Sequence, residues 1–316
     1  MLATGLSAAV KQGRAADGYP SKPIRLVCPF PPGGGLDFVA RTLGEKLAER
    51  SGHPVVIDNR PGASGAIGAN IVARSAPDGY TIMLGSSSTL AANPALQRRP
   101  YQAIIKDFAP VSLVSGVSYV LVVHPSVAAK SVAELIRLAK SQPGRINYAS
   151  SGTGSASHLA MELFKDMAGV DLVHIPYKGS SPAVIDLIGG QVQAGFNNLI
   201  PALPHIRSGK LRALGVSGSA RWAGMPDVPA IADSGLPGYE ALQWYGMLMP
   251  AGAPRVIIDR LHKEIAAILQ LPDVRERIAR EGGVIIGSTP EQFAGHIERE
   301  IAKWTKVVTA ANIRVD

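Results

Sequence analysis

Short apolar runs alternate along most of the chain with stretches whose apolar residues recur every three or four positions. The first run is Ile24–Cys28, followed by a helical spacing of Leu36, Leu43 and Leu47 that stops at Gly52. Alternating strands and helices are typical of an α/β fold with a mainly parallel sheet. The pattern predicts further strands at 55–57, 80–84, 111–123, 147–149, 172–175, 192–196, 211–216 and 242–249.

Two long extended segments, 111–123 and 240–250, bracket a central block of strand–helix units. This order predicts one domain interrupted by another, with two strands that cross between them. We place the first, discontinuous domain at 19–120 plus 245–316 and the inserted domain at 121–244. Ligands of open α/β sheets bind where strands end, and five loops rich in Gly, Ser or Pro lie at such ends.

The segment Gly152-Thr153-Gly154-Ser155 follows a predicted strand and opens a predicted helix. Backbone N–H groups in this position hold anions, so a carboxylate or phosphate site is one interpretation and a plain helix cap is the other. A dinucleotide site is disfavoured because Ser157 stands where the third glycine belongs. The strand that follows also lacks the terminal acid that would bind a ribose.

Other candidate residues lie in the remaining strand-end loops, and each has a structural alternative. Asp37 either caps the helix after the Gly33–Gly35 loop or shapes a cleft, and the serines at 86–88 offer hydroxyls to a ligand. His158 is either a structural hydrogen-bonding residue or a base. Lys178 is either a cation in the cleft or a solvated loop residue.

Composition narrows the function classes. The chain has 34 glycines and 24 prolines, and its formal net charge is +8. Its lysines and arginines are scattered rather than gathered in a patch, which disfavours nucleic-acid binding. The excess charge either attracts small anions or serves only solubility. No apolar run approaches the roughly 18 residues of a membrane span.

The sequence shows no familiar catalytic or metal-binding motif. Cys28 is the only cysteine, the seven histidines are dispersed, and no G-x-S-x-G segment is present. We therefore expect no metal and no cofactor. A binding protein is the favoured class, and the alternative is a hydrolase that uses a loop serine with Lys178.

The amino-terminal segment 1–18 has two interpretations. Residues 1–10 are mostly apolar, with a length typical of a signal-peptide core, but no positive charge precedes them. The segment is either the remainder of a longer export signal or a disordered tail. We favour the export signal, with a basic region upstream of Met1 and a mature protein that starts near Tyr19.

Many motifs in order resemble the receptors of tripartite tricarboxylate transporters, also called Bug proteins or extracytoplasmic solute receptors. The resemblance covers essentially everything after Tyr19. It is carried by the following segments: YPSKPIRLV at 19–27, PFPPGG at 29–34, DNRPGA at 58–63, PDGYT at 77–81, HIPYKG at 174–179, PALPHI at 201–206, GKLRAL at 209–214 and GLPGYE at 235–240.

The resemblance implies a two-domain, periplasmic-binding-protein-like fold of type II, with two crossing strands and a ligand cleft between the domains. It implies a periplasmic, monomeric receptor without nucleic acid, which passes a mono-, di- or tricarboxylate, aromatic acids included, to membrane permease subunits. The candidate ligand-binding residues are Phe30, Gly33, Gly34, Asp37, Ser86, Ser87, Ser151, Thr153, Gly154, Ser155, His158, Tyr177, Lys178, Gly179 and Asn197.

Asn197 departs from the family pattern, since many relatives carry an acid there and often another where Gln193 stands. An aspartate would suit an ammonium group and repel a carboxylate, whereas asparagine adds an NH₂ donor without charge. We therefore expect a ligand that has a carboxylate and needs no amine. The structural alternative is that Asn197 only caps the next helix.

Overall fold

The computed structural model describes residues 18–314. The predictions about an export signal concern residues 1–17, which lie outside the described residues. The ten strands of the described chain are β1 Ile24–Cys28, β2 Val55–Asn59, β3 Thr81–Ser86, β4 Phe108–Val123, β5 Asn147–Ser150, β6 Val173–Pro176, β7 Ala194–Asn198, β8 Arg212–Val216, β9 Leu242–Pro250 and β10 Gly283–Ile285.

Eleven α-helices cover the strands within the same described residues. They are α1 Gly35–Ser51, α2 Ala66–Ala73, α3 Asn93–Leu96, α4 Tyr101–Asp107, α5 Val132–Ser141, α6 Ala156–Ala168, α7 Ser180–Ile188, α8 Leu199–Arg207, α9 Arg255–Ile268, α10 Pro272–Arg280 and α11 Pro290–Ala310. None of the helices within 18–314 is long and apolar enough to cross a bilayer.

The strands form one continuous path, β2-β1-β3-β9-β4-β7-β5-β6, which the long strand β4 divides into two sheets. The first sheet is β2-β1-β3-β9-β4, with β10 also paired to β4. Strands β1, β2 and β3 run parallel, and β9 runs antiparallel to both β3 and β4. Parallel neighbours need long crossover connections, which α1 and α2 supply. The carboxyl ends of β1 and β3 therefore open at one edge of this sheet.

The second sheet is built on the other half of β4. Residues 108–118 of β4 pair with β9, and residues 119–123 pair with β7 and β8. Beyond β7 the order continues to β5 and then β6, which run parallel to one another. On the return path, the Ala241 N–H donates to the Ser217 carbonyl of the second sheet just before β9 begins. The chain thus crosses between the sheets twice, at β4 and at the entry to β9.

The final helix α11 covers the crossing strands. The indole N–H groups of Trp244 on β9 and Trp304 on α11 both donate to Glu300, at 2.9 Å and 3.1 Å. Glu300 is 7% exposed, and Lys303 pairs with its other carboxylate oxygen, so the buried charge is satisfied. These hydrogen bonds hold α11 against β9.

Most predicted elements are present, with several corrections. The pattern missed the helices between Asn93 and Asp107, and it missed the three-residue strand β10. These elements are too short for a periodic signal, and a π-helical turn precedes the first of them. Strand β4 starts at Phe108, three residues before the predicted 111, and a register shift after Pro110 accommodates the proline.

Candidate functional site

Loops at the ends of β1, β3, β5 and β7 surround a cavity of about 290 Å³ between the two sheets. No charged side chain is found among the described residues that line it. Its polar lining consists of hydroxyl and carboxamide groups together with backbone groups of the loop after β5. The lining residues are Phe30, Ser64, Ser88, Asn93, Tyr119, Ala149, Ser150, Ser151, Gly154, Ser155, Ala156, Ser157, Ser180, Ala183, Phe196, Asn197, Asn198 and Gln243.

The loop between β5 and α6 presents the amino terminus of α6 to this cavity. Ser155 is the N-cap of α6, and its hydroxyl accepts a hydrogen bond from the His158 N–H at 3.3 Å. Gly152 and Gly154 have φ angles of 133° and 74°, a backbone conformation that favours glycine. The N–H groups of Gly154, Ser155 and His158 are used within the loop and its cap. The donors that remain at the helix start are those of Ala156 and Ser157, at the positive end of the helix dipole, an arrangement that suits an anion.

Three serine hydroxyls form a connected group beside this helix start. The Ser157 hydroxyl lies 3.2 Å from the hydroxyls of both Ser151 and Ser155. It also accepts the Ser151 N–H at 3.0 Å. The three hydroxyls carry three protons, and their two mutual hydrogen bonds use two of them, so the group can turn its remaining donor toward a carboxylate.

His158 lies behind the loop and does not line the cavity. Its side chain is buried, and its Nδ1 accepts the Gly154 N–H at 3.0 Å. Burial, followed by the influence of His174 and Lys165, lowers the pKa of His158 to about 3. The ring is therefore neutral at physiological pH and acts as a structural hydrogen-bonding residue that fixes the loop.

Asn197 lines the cavity from the second sheet. It is the fourth residue of β7, opposite Val120 of β4, so it does not cap the next helix. The N-cap of α8 is Asn198, without a side-chain capping bond. The uncharged carboxamide of Asn197 therefore lines the same cavity as the serine group.

Asp37 is buried inside α1 and lies outside the cavity lining. The helix N-cap is Gly34 without a side-chain bond, so the expected capping by Asp37 is wrong. Its carboxylate accepts hydrogen bonds from Gly33 N, Arg41 Nε and Asn59 Nδ2, each at 2.9 Å. Burial raises the pKa of Asp37, but these hydrogen bonds outweigh burial and hold the pKa below its usual value. Asp37 therefore fixes the glycine-rich loop from below.

The structure divides the remaining candidate residues into two groups. Phe30, Ser151, Gly154 and Ser155 line the cavity together with Asn197. Gly34 and Ser86 line a neighbouring cavity, and Ser87 lines only a small space near Trp304. Residues outside both main cavities are Gly33, Asp37, Thr153, His158, Tyr177, Lys178 and Gly179.

Some of the residues outside the cavities still support the loops. The Gly179 N–H donates to the Ser151 carbonyl at 3.2 Å, and the Tyr177 hydroxyl donates to Asp186 at 2.7 Å. Lys178 and Thr153 are exposed.

The sequence pattern did not single out Ser64, Tyr119, Ser180 or Gln243, which also line the cavity. Isolated polar residues in turns and crossing strands carry no spacing signal.

Comparison with known proteins identifies the family. The model of the tripartite tricarboxylate transporter family receptor matches residues 39–313. The chain belongs to this receptor family. It is 42% identical over 295 residues to the protein BugT of Bordetella pertussis, covering 93% of this chain and 90% of that protein. It is also 38% identical to a protein of Pseudomonas sp. strain P51, covering 97% and 91% of the two chains.

Solved structures of the receptor family share the fold. A periplasmic transporter is 40% identical, with a TM-score of 0.77 over 94% of this chain and 100% of that chain. A Rhodopseudomonas palustris protein with bound malate is 32% identical, with a TM-score of 0.72 over 92% and 100%. The R. palustris protein Rpa4515 with adipate is 37% identical, with a TM-score of 0.76 over 94% and 99%. These matches confirm the prediction that this chain has a two-domain, periplasmic-binding-protein-like fold.

The family is one of solute-binding receptors rather than enzymes. The hydrolase alternative finds no support at the site, since Lys178 lies away from the cavity. The Nδ1 of His158 accepts the Gly154 N–H, so this nitrogen is not available to a serine hydroxyl. No group of three or more metal-ligating side chains occurs among residues 18–314.

Proposed function

We propose that this protein is an extracytoplasmic receptor that binds a small organic carboxylate in the cavity between its two sheets. The observation that carries the proposal is the neutral lining of the cavity, in which seven serines and the start of α6 offer donors. A carboxylate accepts several hydrogen bonds, and a helix amino terminus stabilises its charge. Relatives with bound adipate and malate support this ligand class.

The lining also disfavours a zwitterionic ligand. An ammonium group needs acceptors and gains most from a carboxylate, but no acidic side chain lines the cavity among the described residues. An acidic side chain at position 197 would pair with an ammonium group, but this chain has Asn197 there. The proposed ligand therefore carries one or more carboxylates, with aliphatic or aromatic character, and no obligatory amine.

The same proposal covers the biological setting. The receptor acts as a monomer in the periplasm after export and delivers its ligand to membrane permease subunits. The domains 19–120 plus 245–316 and 121–244 close on the ligand around the two crossings between the sheets. Family membership and the cleft between the sheets support this setting.

A thermal-shift screen with mono-, di- and tricarboxylates, followed by calorimetric titration of the hits, tests the function. A receptor binds one class of acid reversibly, and mass spectrometry recovers the bound compound unchanged. Turnover of a bound acid would contradict the proposal. Sequencing the amino terminus of protein taken from the periplasm tests the location, with a start near Tyr19 expected and an intact cytosolic Met1 as the contrary result.

A further inference from the structure

A second cavity of about 450 Å³ lies directly beside the first. The two cavities share three lining residues, Phe30, Asn198 and Gln243. A ligand that fills the first cavity can therefore extend past these residues into the second one. The volume lies within the usual range of about 300–1,000 Å³ for small-molecule sites.

The crossing strands form a common floor for both cavities. Ser115 pairs with Tyr245, and Val117 pairs with Gln243, in the antiparallel ladder of β4 and β9. Alternate residues of a strand face the same side, so these four side chains share one face of the ladder. Tyr119, two positions further along β4, lines the first cavity. The two cavities thus lie side by side along one surface.

The walls of the second cavity are mainly apolar. They include Leu36 and Val39 of α1, Leu199 and Ile200 of α8, and Ile278 of α10. A cavity of about 150 Å³ with apolar walls is enough to hold benzene. The second cavity is larger, so an aromatic ring or a medium-length alkyl chain fits within it.

The charge that lines the second cavity does not suit a second carboxylate. Glu281 is the single charged residue in its lining among the described residues, and it is exposed. A carboxylate that reached this end would meet a group of like charge. The second cavity therefore favours the uncharged end of a ligand.

One buried polar group on the floor lacks a partner. The Ser115 hydroxyl is fully buried and has no hydrogen-bond partner within the described structure. Leaving such a group unsatisfied is costly, and a ligand hydroxyl or carbonyl would satisfy it. Its cross-strand neighbour Tyr245 holds a second hydroxyl near the start of α1, where a Cβ on Gly35 would lie 3.0 Å from the tyrosine oxygen.

We propose that the second cavity binds the uncharged aromatic end of an arylalkanoate whose carboxylate occupies the first cavity, with Ser115 bonded to a ring hydroxyl or carbonyl. The proposal rests on the proposed function and specifies its ligand class. The carboxylate bonds to the donors beside α6, and the ring packs between α1, α8 and α10. Tricarboxylates bind more weakly because their further charge approaches Glu281.

Three probes of increasing size test the proposal by calorimetric titration: propanoate, 3-phenylpropanoate and 3-(4-hydroxyphenyl)propanoate. The phenyl compound is expected to bind at least tenfold more tightly than propanoate, which is about 1.4 kcal/mol. Ile200→Trp fills the second cavity from its half-buried rim and is expected to abolish this advantage of the phenyl compound over propanoate. Ile185→Trp, at an exposed position of α7 outside both cavities, is the matched control and retains the advantage.

Ser115→Ala tests the polar contact, because it removes one oxygen and preserves the backbone. It is expected to weaken the hydroxyphenyl compound several-fold relative to the phenyl compound. The proposal is wrong if the phenyl compound binds no more tightly than propanoate, or if Ile200→Trp preserves its advantage. Either result leaves the receptor function standing, whereas failure of every carboxylate in the screen to bind contradicts the function itself.

Discussion

The imidazole rings of His158 and His174 stack with their centroids 3.8 Å apart and an interplanar angle of 9°. Each ring holds one part of the same loop, since His158 accepts the Gly154 N–H and His174 Nε2 lies 2.6 Å from the Ser150 hydroxyl. The stack thus links α6 and β6 behind the proposed carboxylate site. Two protonated rings at this distance would repel one another, so the arrangement disfavours protonation of both histidines.

The stack predicts that acid weakens both the fold and ligand binding. Burial is the main cause that lowers the pKa of both rings. Lys165 lowers both further, and Glu162 raises that of His174. Tyr148 also stacks on the rings, and its hydroxyl donates to Glu162. Because the unfolded histidines protonate at about pH 6.5 and folded His158 only near 3, stability is complete above about pH 6.5 and is lost below it.

Thermal unfolding between about pH 5 and pH 7 measures this effect. Each histidine kept neutral contributes a slope of at most about 1.4 kcal/mol per pH unit to the free energy of unfolding. His158→Gln removes one such group and is expected to flatten the dependence relative to the wild-type protein. Equal slopes for the two proteins would contradict the prediction.

Asn197→Asp is expected to weaken carboxylate binding at least tenfold, or about 1.4 kcal/mol. The added charge would lie on the wall of a cavity whose other polar groups are neutral, a few ångströms from the ligand anion. Calorimetric titration measures the change. Asn70→Asp adds the same charge at an exposed position of α2 and is expected to leave affinity unchanged. If the two variants bind equally well, the charge argument is wrong.

Gly152→Ala is expected to weaken ligand binding by disturbing the loop after β5. Gly152 has a φ of 133°, and a Cβ there would lie 3.3 Å from the Tyr177 carbonyl oxygen. Such backbone strain costs about 1–3 kcal/mol. Gly209 also has a positive φ, of 71°, and a Cβ there would have no atom within 4 Å; the residue lies outside both cavities. The Gly209→Ala control should lose stability and keep its affinity, and a parallel loss of affinity in both variants would contradict the local effect.

Asp37→Asn is expected to reduce the free energy of unfolding by about 1–3 kcal/mol, because three donors lose a charged acceptor that is itself buried. The hydrogen bonds from Gly33, Arg41 and Asn59 all depend on this carboxylate. Since the pKa of Asp37 is lowered in the fold, its contribution is present above pH 3.8 and is lost as the pH falls below that value.

Asp273→Asn serves as the control for Asp37, since it removes an exposed partner of Lys46 and should cost little. Urea unfolding at neutral pH compares the two variants. An Asp37→Asn protein as stable as the Asp273→Asn protein would show that the buried carboxylate does not hold the glycine-rich loop.

The sequence predicted the strands and the loops that surround the cavity because periodicity and glycine positions are local signals. The Gly152–Ser155 loop and Asn197 line one cavity because β5 and β7 are parallel neighbours that end at the same edge. The role of His158 depends on its stack with His174, which lies 16 positions away and has no spacing signal. The sequence likewise could not show that Lys178 lies outside the cavity, because that depends on the path of the loop and not on the type of residue.

The central claim is that a neutral cavity selects a carboxylate through its hydroxyl and backbone donors. Calorimetric titration of the wild-type protein with mono-, di- and tricarboxylates, each paired with its own amide, tests it most directly. The account predicts that at least one acid binds and that its amide binds at least tenfold more weakly. Equal binding of acid and amide, or no binding by any acid, would contradict it.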